Sequence, residues 1–229
     1  MAFTWKKIFL NDITVPATPF RTNLYTVPSN TTAILTDLSG TRTSGTGTLV
    51  FKNNLGGGGT LISIDTLSIG AAVIIQRWVD EGTTKGRPLT VLTAGDILIS
   101  EGSVQNDVFS ILISGAEVSS PDDPGYTRLV AVSRTIPASP FITTEYTAPV
   151  GKKAQVLSTS TRRISGAGTQ IYRVLGSGLS NRVQIKSGSG AGAIGGGKET
   201  LAAGDAIESL GTVQGNVFEL YVSGIEENA

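Results

Sequence analysis

The chain has 229 residues, 29 of them Gly, with no His, no Cys and a balance of 18 Lys+Arg against 18 Asp+Glu. Without imidazole or thiolate there is no His general base, no Cys nucleophile and no N/S ligand set for zinc, haem or iron–sulfur clusters. A formal charge of zero, with only 16% charged residues, argues against a nucleic-acid partner, whose backbone contacts need a basic excess.

The chain opens on Met1-Ala-Phe-Thr-Trp-Lys-Lys-Ile-Phe-Leu10, a basic and apolar segment that stops at Asn11-Asp12. That is too short for a signal-peptide core, and no run of 18 or more apolar residues follows, so the reading is a soluble protein without a membrane span. Residues Phe3, Trp5 and Phe9 predict a first strand, or an arm that docks on a partner, since Trp is enriched at interface hot spots. Ala33–Leu38 and Thr48–Phe51 are the next strand candidates, the second entered through a Gly-rich turn. Asn30-Thr-Thr32 fits a glycosylation acceptor but carries no weight without a secretory signal.

Gly56–Gly59 reads either as a disordered loop tip or as an element that settles on a neighbouring subunit. Residues 71–80 (AAVIIQRWVD) favour a strand through their β-branched content. Asp96–Ser100 and Val108–Ile113 are strands joined by a connection of hairpin length.

The second half repeats the first. Thr14-Val-Pro-Ala-Thr-Pro-Phe20 recurs as Thr135-Ile-Pro-Ala-Ser-Pro-Phe141, and positions 14–52 against 135–173 share 16 identities in 39. Positions 92–117 against 201–226 share 13 in 26, including Leu-x-Ala-Gly-Asp, Val-Gln and Val-Phe. The first copy carries about a dozen extra residues within 53–91. A unit of this size exceeds the roughly 20–50 residues of a solenoid repeat, so each copy is expected to be a domain with its own core.

The expected organisation is residues 1–118, a solvated linker at 119–125 (SSPDDPG), and residues 126–229. Copy two begins with a strand near Tyr126–Ala131, continues through Lys153–Leu157 and Thr169–Tyr172, and closes on Val217–Val222. In that closing run Phe218, Leu220 and Val222 alternate with Val217, Glu219 and Tyr221, the period of a half-buried antiparallel strand. Short strands separated by turns predict an all-β chain of two tandem, duplicated antiparallel β-sandwiches, jelly-roll-like, with seven or eight strands each.

Chemistry is hard to place on this frame. Gly192-Ala-Ile-Gly-Gly-Gly-Lys198-Glu199 nearly matches a phosphate-binding loop. Glu199 stands where that loop needs a hydroxyl, and a turn and strand follow instead of a helix, so the expected structure is a plain loop. The whole Gly-rich run 187–197, like Gly56–Gly59, reads either as a disordered loop tip or as an element that settles on a neighbouring subunit. The repeated carboxylates Asp96/Asp205 and Glu117/Glu226 read as turn and framework groups, and Tyr25/Tyr146 as packing devices beside Pro28/Pro149. No catalytic residue, cofactor site or metal site is assigned, and an enzyme is not expected.

Tyr-Thr-x-Pro, a Gly-rich middle, Leu-x-Ala-Gly-Asp before a strand and a closing Val-Phe with Ser-Gly-x-Glu together resemble small β-sandwich structural proteins of tailed bacteriophages. These are found as capsid decoration (cement), tail or baseplate-attached modules. The resemblance implies a virion component without catalysis, forming a symmetric homo-oligomer, often a trimer, with other virion proteins as partners. The balanced charge and the lack of a long apolar run are what argue against a nucleic-acid or membrane partner. Trp5, Phe9 and Trp78 are the candidate partner contacts. The competing reading is a carbohydrate-binding or host-recognition module, for which Trp78, beside Arg77, Asp80 and Glu81, is the one aromatic platform for a glycan.

Overall fold

The computed structural model describes residues 3–17, 20–68, 74–75, 90–119, 125–176, 182–188, 193–195 and 199–229. The chain divides into two compact units, Met1–Asp123 and Pro124–Ala229.

In the first unit the strands are β1 (Phe3–Thr14), β2 (Phe20–Thr26), β3 (Thr31–Ser44), β4 (Thr48–Asn54), β5 (Leu61–Ser68), β6 (Ile74–Ile75), β7 (Thr90–Leu92), β8 (Ile97–Gly102) and β9 (Val108–Ser119). One sheet runs β1-β9-β3, with β6 and β7 both lying along the free side of β3. The other runs β2-β8-β4-β5. All pairings are antiparallel. With β6 and β7 counted as one interrupted strand, this is the eight-stranded, doubly crossed order of a jelly roll.

The second unit repeats that order with β10 (Tyr126–Thr135), β11 (Phe141–Thr147), β12 (Lys152–Ser165), β13 (Gln170–Leu175), β14 (Arg182–Gly188), β15 (Ala193–Gly195), β16 (Thr200–Leu201), β17 (Ala206–Gly211) and β18 (Val217–Asn228). Its sheets are β10-β18-β12, with β15 and β16 on β12, and β11-β17-β13-β14. The fold is therefore all-β and jelly-roll, with nine strand segments in each unit among the described residues.

Several strands are longer than expected. The strand expected over Ala33–Leu38 is β3 from Thr31 to Ser44, which carries bulges between Leu35 and Asp37 and between Arg42 and Ser44. Of the strand expected over 71–80, Ile74–Ile75 is a strand and the remainder lies outside the described residues. Ser119, placed in the linker from sequence, ends β9, and residues 120–124 lie outside the described residues.

Strand β9 buries alternate residues Phe109, Ile111 and Ile113 between the sheets and leaves Val108, Ser110 and Leu112 half-buried. Each such apolar side chain contributes about 1.5–3 kcal/mol of burial. The counterpart β18 departs from the expected alternation, because Glu219 and Tyr221 are buried along with Phe218, Leu220 and Val222. Glu219, Tyr221 and Ser223 each have interaction partners, which is the condition for burying polar groups on a second face.

Candidate functional site

Of the three residues expected to contact partners, Trp5 and Phe9 lie on β1. The backbone of Trp5 pairs with Ala116 on β9, and Phe9, half-buried, pairs with Ile113 across a bulge in β1. Trp78 lies outside the described residues.

What the fold does bring together are the repeated polar residues. The phenol of Tyr25 on β2 donates to Glu117 Oε1 on β9, joining the two sheets. Tyr146 on β11 donates to Glu226 Oε1 on β18 at 2.7 Å. Burial, and then the hydrogen bond and charge of the glutamate, push both phenols well above the ordinary tyrosine value. Each residue was read alone from sequence as a structural group. Their pairing was missed, although the recurrence of both partners at matching positions was the available signal.

Asp96 behaves as expected of a turn carboxylate and does more. It is fully buried and accepts from Thr93 N–H at 3.0 Å, Asn53 Nδ2 at 2.8 Å and Gly56 N–H at 2.9 Å. The last bond overturns the reading of Gly56–Gly59 as a disordered tip. Leu55–Gly57 forms a 3₁₀ turn, with Gly58 N–H bonded to Leu55 O and Gly59 N–H to Asn54 Oδ1. Glycine is needed at Gly56, Gly57 and Gly59 because all three have positive φ. In the second unit Asp205 caps Ala202 N–H at 2.8 Å.

At the opposite end of each unit three connections interlock. Asp107 accepts from the backbone N–H groups of Thr46 and Gly47, Val15 N–H donates to Asp107 O at 2.9 Å, and Ser103 N–H donates to Thr48 O at 3.0 Å. Arg42 donates to Gly47 O from within the turn it spans. The second unit reproduces this with Asn216 accepting from Ala167 N–H, Ile136 N–H donating to Asn216 O at 2.9 Å, and Arg163 donating to Gly168 O. The exposed residues of this end include Pro16, Ala17, Val104 and Gln105, and they are the same in the second unit at Pro137, Ala138, Val213 and Gln214.

The charged clusters are internal ties. In the first unit Glu101 holds Arg21 at 2.7 Å and Lys52 at 2.8 Å, and although burial alone would raise it, these cations keep its carboxyl below the usual range. In the second unit the side chain of Glu145 is wholly buried, is forked by Arg134, with Nη2 to Oε2 at 2.8 Å, and accepts from Ser209 Oγ at 2.6 Å. The equivalent first-unit positions are Ile13 and Leu24, both buried.

Among the described residues there is no group of three or more acidic side chains placed to hold a metal ion, and no helix long and apolar enough to cross a membrane. Of the near match to a phosphate loop, Ala193–Gly195 is a strand instead of the expected loop, and the strand expected after it is Thr200–Leu201. Gly192 and residues 196–198 lie outside the described residues.

No protein-family model matches the chain, and no curated protein sequence matches it. Two solved viral proteins are similar in structure at 10% identity, one from an archaeal virus with a triple jelly-roll fold and turret assembly (TM-score 0.35), the other from Sulfolobus turreted icosahedral virus (TM-score 0.34). They cover 96% and 95% of this chain, and this chain spans 60% of each of theirs. The N-terminal CBM22 tandem domain of Xyn10C from Paenibacillus barcinonensis is similar at 9% identity and TM-score 0.26, covering 98% of this chain and 93% of its own.

Proposed function

We propose that this chain is a non-enzymatic structural component of a virus particle, assembling as a symmetric homo-oligomer on the capsid, as decoration or cement, or on the tail of a bacteriophage. In this reading residues 1–118 and 126–229 are two copies of one ancestral jelly roll joined by 119–125, and three chains make the assembly.

The observation that carries the reading is where the repeated polar residues go. Tyr25 and Tyr146 bond to Glu117 and Glu226, Asp96 and Asp205 to turn N–H groups, and Arg42 and Arg163 to turn carbonyls. These repeated groups, which could otherwise serve as acids or bases, hold backbone and sheets in place. A frame so stiffened offers shape and contact, and jelly rolls serve this role in viral capsids. The sequence resemblance to tailed-phage β-sandwich proteins supports the same assignment.

Quantitative mass spectrometry of purified particles tests it. The chain is expected as a stoichiometric virion protein, at dozens to hundreds of copies for decoration and few for a tail position. Absence from particles, or glycan-array binding that depends on Trp78, would replace this reading with the carbohydrate-binding one.

A further inference from the structure

The outer face of β1 and β9 sets a pair of leucines between opposite charges. Leu10 is 59% exposed, and Leu112, its cross-strand neighbour, is half-buried beside it. Lys7 stands opposite Ser114 and Asp12 opposite Ser110, and both charged residues are exposed. A bulge at Ile8 adds a residue on the Lys7 side of Leu10, so the two charges fall level with the β9 residues two before and two after Leu112. At a strand rise of about 3.4 Å per residue, each charge is about 7 Å from the leucine pair. Folding uses little of this. Ser110 Oγ donates to Asp12 Oδ1 at 2.6 Å, and Lys7 has no ion-pair partner among the described residues.

In the second unit the same positions read Arg128 with Ser223, Ala131 with Tyr221 and Ser133 with Glu219, again a cation, an apolar centre and an anion. There the face is covered, with Ser223, Tyr221 and Glu219 at 0%, 1% and 7% exposure. The first unit presents the same order open to solvent.

That order fits a copy of itself. Turn a second copy about an axis lying across the strands at the leucine pair, and lay the two faces together at the roughly 10 Å spacing of packed sheets. Leu10 and Leu112 then meet their own copies, Lys7 meets the second copy's Asp12, and Asp12 meets its Lys7. Ser110 falls opposite Ser114, and the register position of Asp37 on β3, level with Lys7, falls opposite that of Thr41. A two-fold contact needs this reciprocity, in which one residue meets a second while the second meets the first. Two charges of one sign in the same places would repel instead. Nucleic acid or an acidic lipid would call for an excess of cations, whereas this face is balanced.

We propose that the outer face of β1 and β9, centred on Leu10 and Leu112, is a two-fold contact between two copies of this chain, tied by reciprocal ion pairs between Lys7 and Asp12. The proposal rests on the homo-oligomer reading above and names a surface for it. A two-fold contact cannot close a ring of three, so with three chains to a ring it joins two rings back to back.

Sedimentation velocity on the full chain tests it. The wild type is expected to sediment as an even number of chains and to associate more weakly as salt rises and screens the ion pairs. Lys7→Glu sets like charge against Asp12 at both ends of the contact, and Asp12→Lys does so with the opposite sign. Each single variant is expected to self-associate roughly a hundredfold more weakly at an unchanged melting temperature. Mixing the two single variants restores association, as does combining Lys7→Glu with Asp12→Lys in one chain. Single variants that keep the wild-type mass, or that dissociate but neither recombine on mixing nor recover in the combined variant, overturn the assigned face and leave the homo-oligomer reading standing. A wild type of three chains that associates no further does the same. A wild type of two chains keeps the face and overturns the count of three. A wild-type chain that stays monomeric at all concentrations overturns both the face and the homo-oligomer reading.

Discussion

The two units offer an internal control on the energetics of a buried charge. Arg134 and Glu145 stand where Ile13 and Leu24 stand in the first unit, with Ser209 in place of Ser100. Leu24 and Glu145 each occupy the bulge of their strand, between Asn23 and Tyr25 and between Thr144 and Tyr146, which turns them both toward the interior. Removing one partner of a buried ion pair costs about 3–5 kcal/mol, because the other charge is left unpaired in a poor solvent. Arg134 is 39% exposed while Glu145 is 0% exposed, so the two single deletions are not equivalent.

Arg134→Ile strands the carboxylate with only the Ser209 hydroxyl, and a loss of about 3 kcal/mol is expected, toward the low end because water reaches the guanidinium side. Glu145→Leu leaves a cation that can turn to solvent, at a cost of about 1 kcal/mol or less. Arg134→Ile with Glu145→Leu recreates the apolar pair of the first unit and is expected to fall within about 1 kcal/mol of wild type. Calorimetry of the full chain reads these, with hydrogen exchange on peptides from β11 and β17 assigning the transition to the second unit. Trp5 and Trp78 both precede residue 123, so tryptophan fluorescence monitors the first unit, which is expected to be unchanged. Arg134→Ile alone lowers the second transition by roughly 10–20 °C. Equal destabilisation in the single and double variants would refute the argument, since it would mean that lost packing, not an unpaired charge, sets the cost.

Three further outcomes follow from the same geometry. Asp96→Ala removes the acceptor of Thr93, Asn53 and Gly56 and is expected to cost the first unit roughly 2–4 kcal/mol and to open residues 55–60 to thermolysin, read by mass spectrometry of the fragments. Tyr25, Tyr146 and Tyr172 have phenols raised by burial, so their contribution to stability is complete below the ordinary tyrosine value of about 10 and is lost as pH climbs beyond it. Three of the five tyrosines should therefore yield phenolate absorbance only as the chain unfolds. An early titration of all five with native circular dichroism would contradict this. A Cβ on Gly102 would run into Val15, so Gly102→Ala should destabilise by about 1–3 kcal/mol and regain much of that loss with Val15→Ala in a denaturation series.

Much of this architecture was legible in the sequence because β-structure writes itself in local signals. The β-rich runs Thr48–Phe51 and Val108–Ile113, turn residues around Gly45 and Gly95, and the repeat itself placed strands correctly, whereas the connection of hairpin length after Ser100 joins β8 and β9 in different sheets instead of a hairpin. What escaped were relations between distant residues. Tyr25 and Glu117 are far apart along the chain, and neither carries a local mark of its partner. The Gly56–Gly59 run looked disordered because its restraint, Asp96, lies on another strand connection. The second face of β18 was hidden for the same reason, since Glu219 and Tyr221 read as solvent-facing until their partners are in place.

The paired short strands on the edge of β3 bear on how this fold tolerates change. Both ends of the stretch in which the copies differ in length are docked on one long strand, β6 at Gly40–Thr41 and β7 at Ala33–Leu35, as β15 and β16 are docked on β12. Fourteen residues lie between Ile75 and Thr90, against four between Gly195 and Thr200. Lengthening a connection by that ratio costs about 1 kcal/mol of closure entropy. The interval is thus a permissive graft point, a place where a foreign epitope or affinity tag can be displayed from the second unit while the ladder on either side keeps its register.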